Sequence, residues 1–364
     1  MKKTFIILLV VCLLIAVGCK KDPTVKMWEV NSEAELMKAM KEGGEILIAK
    51  DFEVMRPIFV YSDAKLDLNG KTITYSGDDN ERLFTILNNV TLDVKGKGKI
   101  VSTTEKSLGL FNVYGNLVIH DGTYESNGIS KGHIIRGLKG SNIVVNDGTI
   151  SAKRFDAALH SDGVVVINGG LFESHAYNNT TVAGLKEKYT YTVISKGEIT
   201  VNGGEIRGIH GALAVINAKG TVNNVKAYTF VAPMDEVAVP PSFYALYVAG
   251  EVGKVDVTVK NGTFISEKQA AVLVGNSADG GEKEKASLTL LGGTFESKAL
   301  TYDFMYSEKT KGSIDIMGGT FKHDKAHNMD TPPDGGVTVD LSTLINKDYE
   351  LKAVEGGFKV QKRQ

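Results

Sequence analysis

The decapeptide VVINGGLFES, residues 165–174, returns along this 364-residue chain with changed letters. ITVNGGEIRG (199–208), TLLGGTFESK (289–298) and DIMGGTFKHD (315–324) keep its plan: an alternating apolar run, two small or turn-prone residues, then an apolar side chain two places on. Aligned on the second residue of the small pair, strong members fall at Gly122, Gly148, Gly170, Gly204, Gly262, Gly293 and Gly319, and weaker ones at Gly70, Gly98 and Asn224. Successive separations are 28, 24, 26, 22, 34, 20, 38, 31 and 26 residues. A fixed unit with variable insertions is the signature of a solenoid, in which each unit buries its apolar face against the next.

The columns of the alignment give the conformation of the unit. Five and three residues before the anchor every strong member is aliphatic, from Leu117/Ile119 through Val165/Ile167 to Ile314/Ile316, which is the period of a half-buried strand. Immediately before the anchor stand Asp121, Asp147, Gly169, Gly203, Asn261, Gly292 and Gly318. Only Gly, Asn and Asp occur there, so a left-handed bend is expected at Gly169 and its equivalents. Two residues after the anchor, Tyr124, Ile150, Phe172, Ile206, Phe264, Phe295 and Phe321 form a second inward column. A third apolar run follows in each unit, as in HIIRGL, DAALH, YTVIS and ALAVI.

Three strands per unit in parallel register predict an all-β chain, a right-handed parallel β-helix of about ten coils. At about 4.8 Å per coil such a rod is on the order of 50 Å long. Ahead of it, Ser32 with Glu35 three residues on is a capping-box signature. Leu36, Met37 and Met40 then share one helical face, and Gly43-Gly44 supply a stop. At the other end YELKAVEGGFKVQK reads as a closing hairpin around Glu355-Gly356-Gly357. The expected organisation is a leader over 1–18, a tether over 19–29, a cap helix and first strand over 30–50, coils over 51–336 and a C-terminal cap over 337–364. The short amphipathic helix before the first rung resembles the N-terminal cap of pectin-lyase-like β-helices, and the resemblance extends over about residues 30–364.

Composition supports one large, loop-rich core. Hydrophobic residues make up 42 %, and there are 40 Gly against 7 Pro, which suits tight turns and not a collagen-like period. A formal charge of −1 gives no reason to expect nucleic acid as a partner. Lys2 and Lys3 followed by the 13-residue apolar run Phe5 to Val17 match a secretory leader, too short for a membrane span. The run ends in IAVGC, which resembles the lipobox of bacterial lipoproteins, and CKKD resembles exported lipoproteins of Bacteroides-type bacteria. The resemblance implies cleavage before Cys19, acylation of that Cys, and a cell-envelope location at the outer membrane, in some cases on the cell surface. Cleavage also removes Cys12, so no disulfide framework is expected.

The variable place in the unit is the connection after the second strand. It is long in 175–191, 228–244, 298–312 and 322–336, and these insertions are rich in aromatic residues. Tyr177, Tyr189, Tyr191, Phe243, Tyr244, Tyr302 and Tyr306 are candidate stacking rings for a sugar; the alternative is that the rings fold back to cover the flank. The polar candidates for catalysis are His133, Arg136, Arg154, Asp156, His160, Asp162, His175 and His210, of which Arg136 and His160 could be close on stacked third strands with Asp156 near. Pectin-lyase-like enzymes abstract a proton with a Lys or Arg beside carboxylate-bound calcium, and β-helical hydrolases use grouped carboxylates; the chain lacks both signatures. No metal-ligand spacing is present and no cofactor is expected. The expectation is a non-catalytic envelope protein binding a glycan or other extended polymer along its flank. The rivals are a polysaccharide lyase or glycoside hydrolase in the same groove, and an adhesin-like rod contacting other surface proteins.

Overall fold

A computed structural model describes residues 25–77, 80–128, 132–153, 157–175, 191–209, 211–230, 244–250, 253–275, 285–330 and 336–364. The expected leader, Cys19 and the first part of the expected tether lie outside these residues. The described chain is built almost entirely of strands, which assemble into three long sheets of 12, 13 and 12 strands. We call them first, second and third in the order the chain visits them. One unit shows the pattern: Val164–Ile167 in the first sheet, Leu171–Ser174 in the second, Tyr191–Ser195 in the third. Each strand then pairs in parallel with its counterpart from the units before and after, as Ile143, Val165 and Ile199 do in the first sheet.

Alternation decides which side chains face inward. Val165, Ile167, Phe172 and Val193 are fully buried, whereas Val164 at the start of the strand is exposed. Aromatic rings from successive units stack inside: Phe264 on Phe295 at 5.2 Å and Phe295 on Phe321 at 4.9 Å. Phe84, Phe111 and Tyr124 make a second interior run with centroids 5.6 Å apart. The register carries this order, because in a parallel pair a residue lies beside its repeat equivalent and like stacks on like.

The bend between first and second strands corrects the sequence reading by one residue. The left-handed backbone belongs to the anchor itself, Gly170 at φ +91°, and likewise to Gly122, Gly148, Gly204, Gly262, Gly293 and Gly319. Gly169, Gly203, Asn261, Gly292 and Gly318 lie in the bend but are not among the residues with positive φ. The anchor must be Gly for a second reason: a Cβ on Gly170 would lie 2.8 Å from the Gly148 carbonyl oxygen. That carbonyl accepts the Leu171 amide at 2.8 Å, and the Gly170 carbonyl accepts Glu205 at 2.9 Å, so the corners are laced together by backbone. Two weak repeats also shift. Pairing of Ile73 with Ile100 and of Ile206 with Ala227 puts Lys71 and Val225, not Gly70 and Asn224, at the anchor position.

The ends of the sheets differ from the middle. Helix Glu33–Glu42 starts at Ser32, whose side chain accepts the Glu35 amide, and stops at Gly43, φ +76°. Its buried residues are Leu36, Ala39 and Met40, while Met37 is only partly covered. Met27–Val30, of which the first three residues were expected in a tether, pairs with Gly44–Ile48 as the edge strand of the first sheet. At the far end Gly357–Lys362 pairs antiparallel both with Tyr349–Val354 and with Thr320–Phe321. Val337–Asp340 adds an antiparallel edge to the third sheet. Antiparallel neighbours occur only at this end among the described strands, where they use up an edge that would otherwise template further pairing.

Candidate functional site

The outward face of the third sheet is one continuous column. Register pairs link Asn112 to Arg136, Arg136 to His160, His160 to Ile194, Ile194 to Ala214, and Ala214 to Tyr247. The column goes on through Leu273 and Met305 to His327. Arg136 and His160, the catalytic candidates expected on stacked third strands, are therefore direct neighbours. Asp156, expected near them, lies outside the described residues, as do Arg154 and His210.

The carboxylate that joins the pair is Asp162. It accepts from Arg136 Nη2 and lies 3.8 Å from His160 Nε2, too far for a hydrogen bond. Arg136 Nη1 donates to the Gly137 carbonyl at 3.0 Å, which ties the guanidinium to its own strand. His160 Nδ1 lies 3.0 Å from His133 Nε2, and the two rings meet edge to face with centroids 4.6 Å apart. Burial, aided by the Arg136 charge, brings the His160 pKa down to about 4 against a smaller opposing pull from Asp162. Burial, then the neighbouring His160 and the Arg82 and Arg136 charges, holds His133 well below the ordinary imidazole range. Both rings are thus neutral at pH 7 and act as hydrogen-bonding groups, with one nitrogen of each turned to the other. Their remaining nitrogens, His133 Nδ1 and His160 Nε2, are buried and lack a hydrogen-bond partner.

Further along, the same face becomes aromatic. Tyr191 stacks on Tyr247 at 5.4 Å, and Tyr244 lies 6.4 Å from Tyr247. Tyr191, Ala214 and Ile216 form one small apolar cluster, and Ala270, Leu273 and Met305 another; Tyr244 and Tyr247 touch both. The Tyr244 hydroxyl donates to the Met305 sulfur at 3.4 Å, and burial pushes its pKa up to about 12. Tyr302 is half-buried and stacks on His327 at 4.8 Å, interplanar angle 12°. Tyr306 departs from the expectation of a ligand-binding ring: it is 5 % exposed and belongs to the main core. Tyr177, Tyr189 and Phe243 lie outside the described residues. Of the seven aromatic candidates, Tyr191, Tyr244 and Tyr302 thus lie on one flank, where Tyr191, only 7 % exposed, is folded back into a small apolar cluster.

Two features were not read from the sequence. On the second sheet Glu173, 7 % exposed, accepts from Ser151 Oγ at 3.0 Å and pairs with Arg207. Arg207 also reaches Glu205, which accepts the Tyr228 hydroxyl at 2.6 Å. The signal was present, since Glu173 and Arg207 occupy the same column of consecutive repeats. The second feature is an amide ladder two residues before the anchor: Asn168 to Asn146 at 2.8 Å, Asn202 to Asn168 at 2.7 Å, Asn223 to Asn202 at 2.6 Å. Among the described residues no group of three His, Cys, Asp or Glu side chains is arranged to hold a metal ion. No helix of these residues is long and apolar enough to cross a membrane. In comparisons with known proteins, no family model, no curated protein and no solved structure matches this chain.

Proposed function

We propose that this chain is a lipid-anchored envelope protein that holds a glycan or other extended polymer along the outer flank of its third sheet, without cleaving it. The anchor in this reading is acylated Cys19 at the outer membrane. The winding is right-handed, as parallel crossovers almost always are, and the helix Glu33–Glu42 serves as its N-terminal cap. About ten coils stacked in parallel are the reading that the three long sheets support. The fold is of the pectin-lyase-like kind.

The observation that carries the reading is the unbroken outward column from Arg136 to His327, polar at one end and lined by Tyr247, Met305 and the Tyr302–His327 ring pair at the other. Tyr247 and the Tyr302–His327 pair, all only partly buried, offer flat apolar faces of the kind a run of sugar rings requires. Purified protein is expected to retain an acidic or neutral polysaccharide on an affinity gel without shortening it. Tyr302→Ala is expected to weaken retention about tenfold, near the loss of one stacked ring. Retention unchanged in Tyr302→Ala would remove this face from consideration.

A second reading, a lyase or hydrolase, draws on the convergence of Arg136, His160 and Asp162. It requires new chain ends to appear in the same assay, unsaturated for a lyase and reducing for a hydrolase, and to vanish in His160→Gln.

A further inference from the structure

Six of the eleven large apolar side chains that are exposed among the described residues fall within residues 25–61: Val25, Met27, Leu47, Met55, Phe59 and Tyr61. Such residues scattered singly carry no message, but a gathering at one pole does. Phe59 is 46 % exposed and Tyr61 54 %, with ring centroids 6.1 Å apart. They flank a groove of about 380 Å³ between helix Glu33–Glu42 and the strand Ile58–Val60, at the edge of the third sheet. Met37, Lys38, Lys41 and Glu42 form the other wall.

The charges there are unbalanced. Glu42 is paired with Lys26, while Lys38 and Lys41 make no ion pair among the described residues. The patch therefore combines two aromatic rings and a methionine with two net positive charges, the composition of a surface that lies in the headgroup region of an anionic bilayer.

Chain length supplies the occupant. Val25 is the sixth residue after Cys19, with five residues between them. Fully extended, six residues reach about 20 Å, so an acylated Cys19 would confine this pole of the solenoid to the membrane surface. We infer that the groove face of the N-terminal pole docks on the lipid bilayer, Phe59 and Tyr61 entering the acyl boundary and Lys38 and Lys41 meeting anionic headgroups. The inference rests on the anchoring reading but goes beyond it, since a tether alone fixes a distance and not an orientation. Docking would orient the solenoid reproducibly and hold its third-sheet flank at a set attitude to the membrane.

The single tryptophan reports on this pole without labelling. Trp28 donates to the Gly43 carbonyl at 2.9 Å, and Lys38 Nζ lies 5.7 Å from its ring centroid. Full-length protein carried by vesicles of phosphatidylethanolamine and phosphatidylglycerol is expected to lose about half of its Trp28 emission when the acyl chains are brominated. Phe59→Ser with Tyr61→Ser is expected to restore most of it, and Lys38→Glu with Lys41→Glu to restore it when phosphatidylglycerol is present. All four positions are on the surface, and circular dichroism checks that the variants fold.

Mass spectrometry of Cys19 separates the two claims. An acylated, vesicle-bound protein whose Trp28 is unaffected by bromine overturns the docking. An unacylated protein that is still quenched on added vesicles supports the docking and overturns the anchor. Quenching that the two double variants leave unchanged also overturns the docking face, as does quenching lost on dilution of the protein at constant lipid, which would assign the groove to a second copy.

Discussion

Phe264, Phe295 and Phe321 stack inside the solenoid at 5.2 and 4.9 Å, and Tyr191 and Tyr247 stack at 5.4 Å on the outside of the third sheet. Parallel register places the inner run, Phe264 beside Phe295 beside Phe321, whereas Tyr191 is paired with Gly211 and Tyr247 with Ala214, so the outer two rings stack across register columns. Inside, register sets one apolar side chain on another from unit to unit, because each needs the next to exclude water and fill the interior. Outside, the column changes from Arg136 and His160 through Ile194 and Ala214 to Tyr247 and His327. Repetition there would serve no packing need. A column that varies in chemistry while keeping its register is where a ligand would be read, and a column that does not vary is where the fold is held.

The largest expected effect tests the inside of this comparison. Phe295→Ala removes a fully buried ring between two others and should cost about 3–5 kcal/mol in urea unfolding. Tyr247→Ala, on the outer flank and only partly buried, should cost clearly less, about 1–2 kcal/mol. Equal losses would make the outer rings part of the core and remove the contrast.

The outer polar group has its own signature in pH. Burial brings the His160 pKa down to about 4 in the folded chain, against the ordinary imidazole value of about 6.5 when unfolded. As the pH falls below about 6.5 the unfolded chain takes up a proton that the folded chain refuses until about 4. The stability contributed by neutral His160 is thus complete above pH 6.5 and is lost as the pH falls through 4, on the order of 3 kcal/mol in all. His133 adds to the loss in the same direction. Stability measured at pH 7 and pH 4.5 should drop less in His160→Gln than in the parent protein. A parallel drop in the two would place the acid sensitivity elsewhere.

Particular residues show what the sequence made legible. The alternating pairs such as Val165/Ile167 and the Phe172 column define strand and bend from periodicity alone, because a solenoid interior imposes the same demand on each unit. The left-handed residue was misplaced for a reason built into the alignment. Gly170 and its equivalents served as the anchor, so their identity was not weighed, although Gly in every strong repeat is a sharper sign of positive φ than the Gly, Asn or Asp before it. Asp156 was favoured over Asp162 by proximity in a motif, yet strand geometry favours the reverse. On a strand, i+2 lies about 7 Å along the same face. Asp162 is i+2 from His160, and it is the carboxylate in contact with Arg136. Which aromatic residues reach the flank and which, like Tyr306, turn inward depends on how each insertion returns to the sheet, and no period encodes that.

The smallest effect is expected at the asparagine ladder, which lies between the two regimes: repeated like the interior, exposed like the flank. Asn168 donates to Asn146 and accepts from Asn202, so Asn168→Ala breaks two side-chain hydrogen bonds and leaves each neighbour to water. Exposed bonds of this kind contribute about 0.5–1 kcal/mol each, because water replaces the lost partner at little cost. The ladder nevertheless spans four units, and each amide fixes the orientation of the next. If its role is local, Asn168→Ala and Asn202→Ala will each cost about 1 kcal/mol. The double variant will then cost less than their sum, since the bond between them is counted twice. A double variant costing more than the sum would mean that the ladder sets the spacing of successive bends, and hydrogen exchange at the Leu171 and Glu205 amides, which bond across those bends, would rise with it.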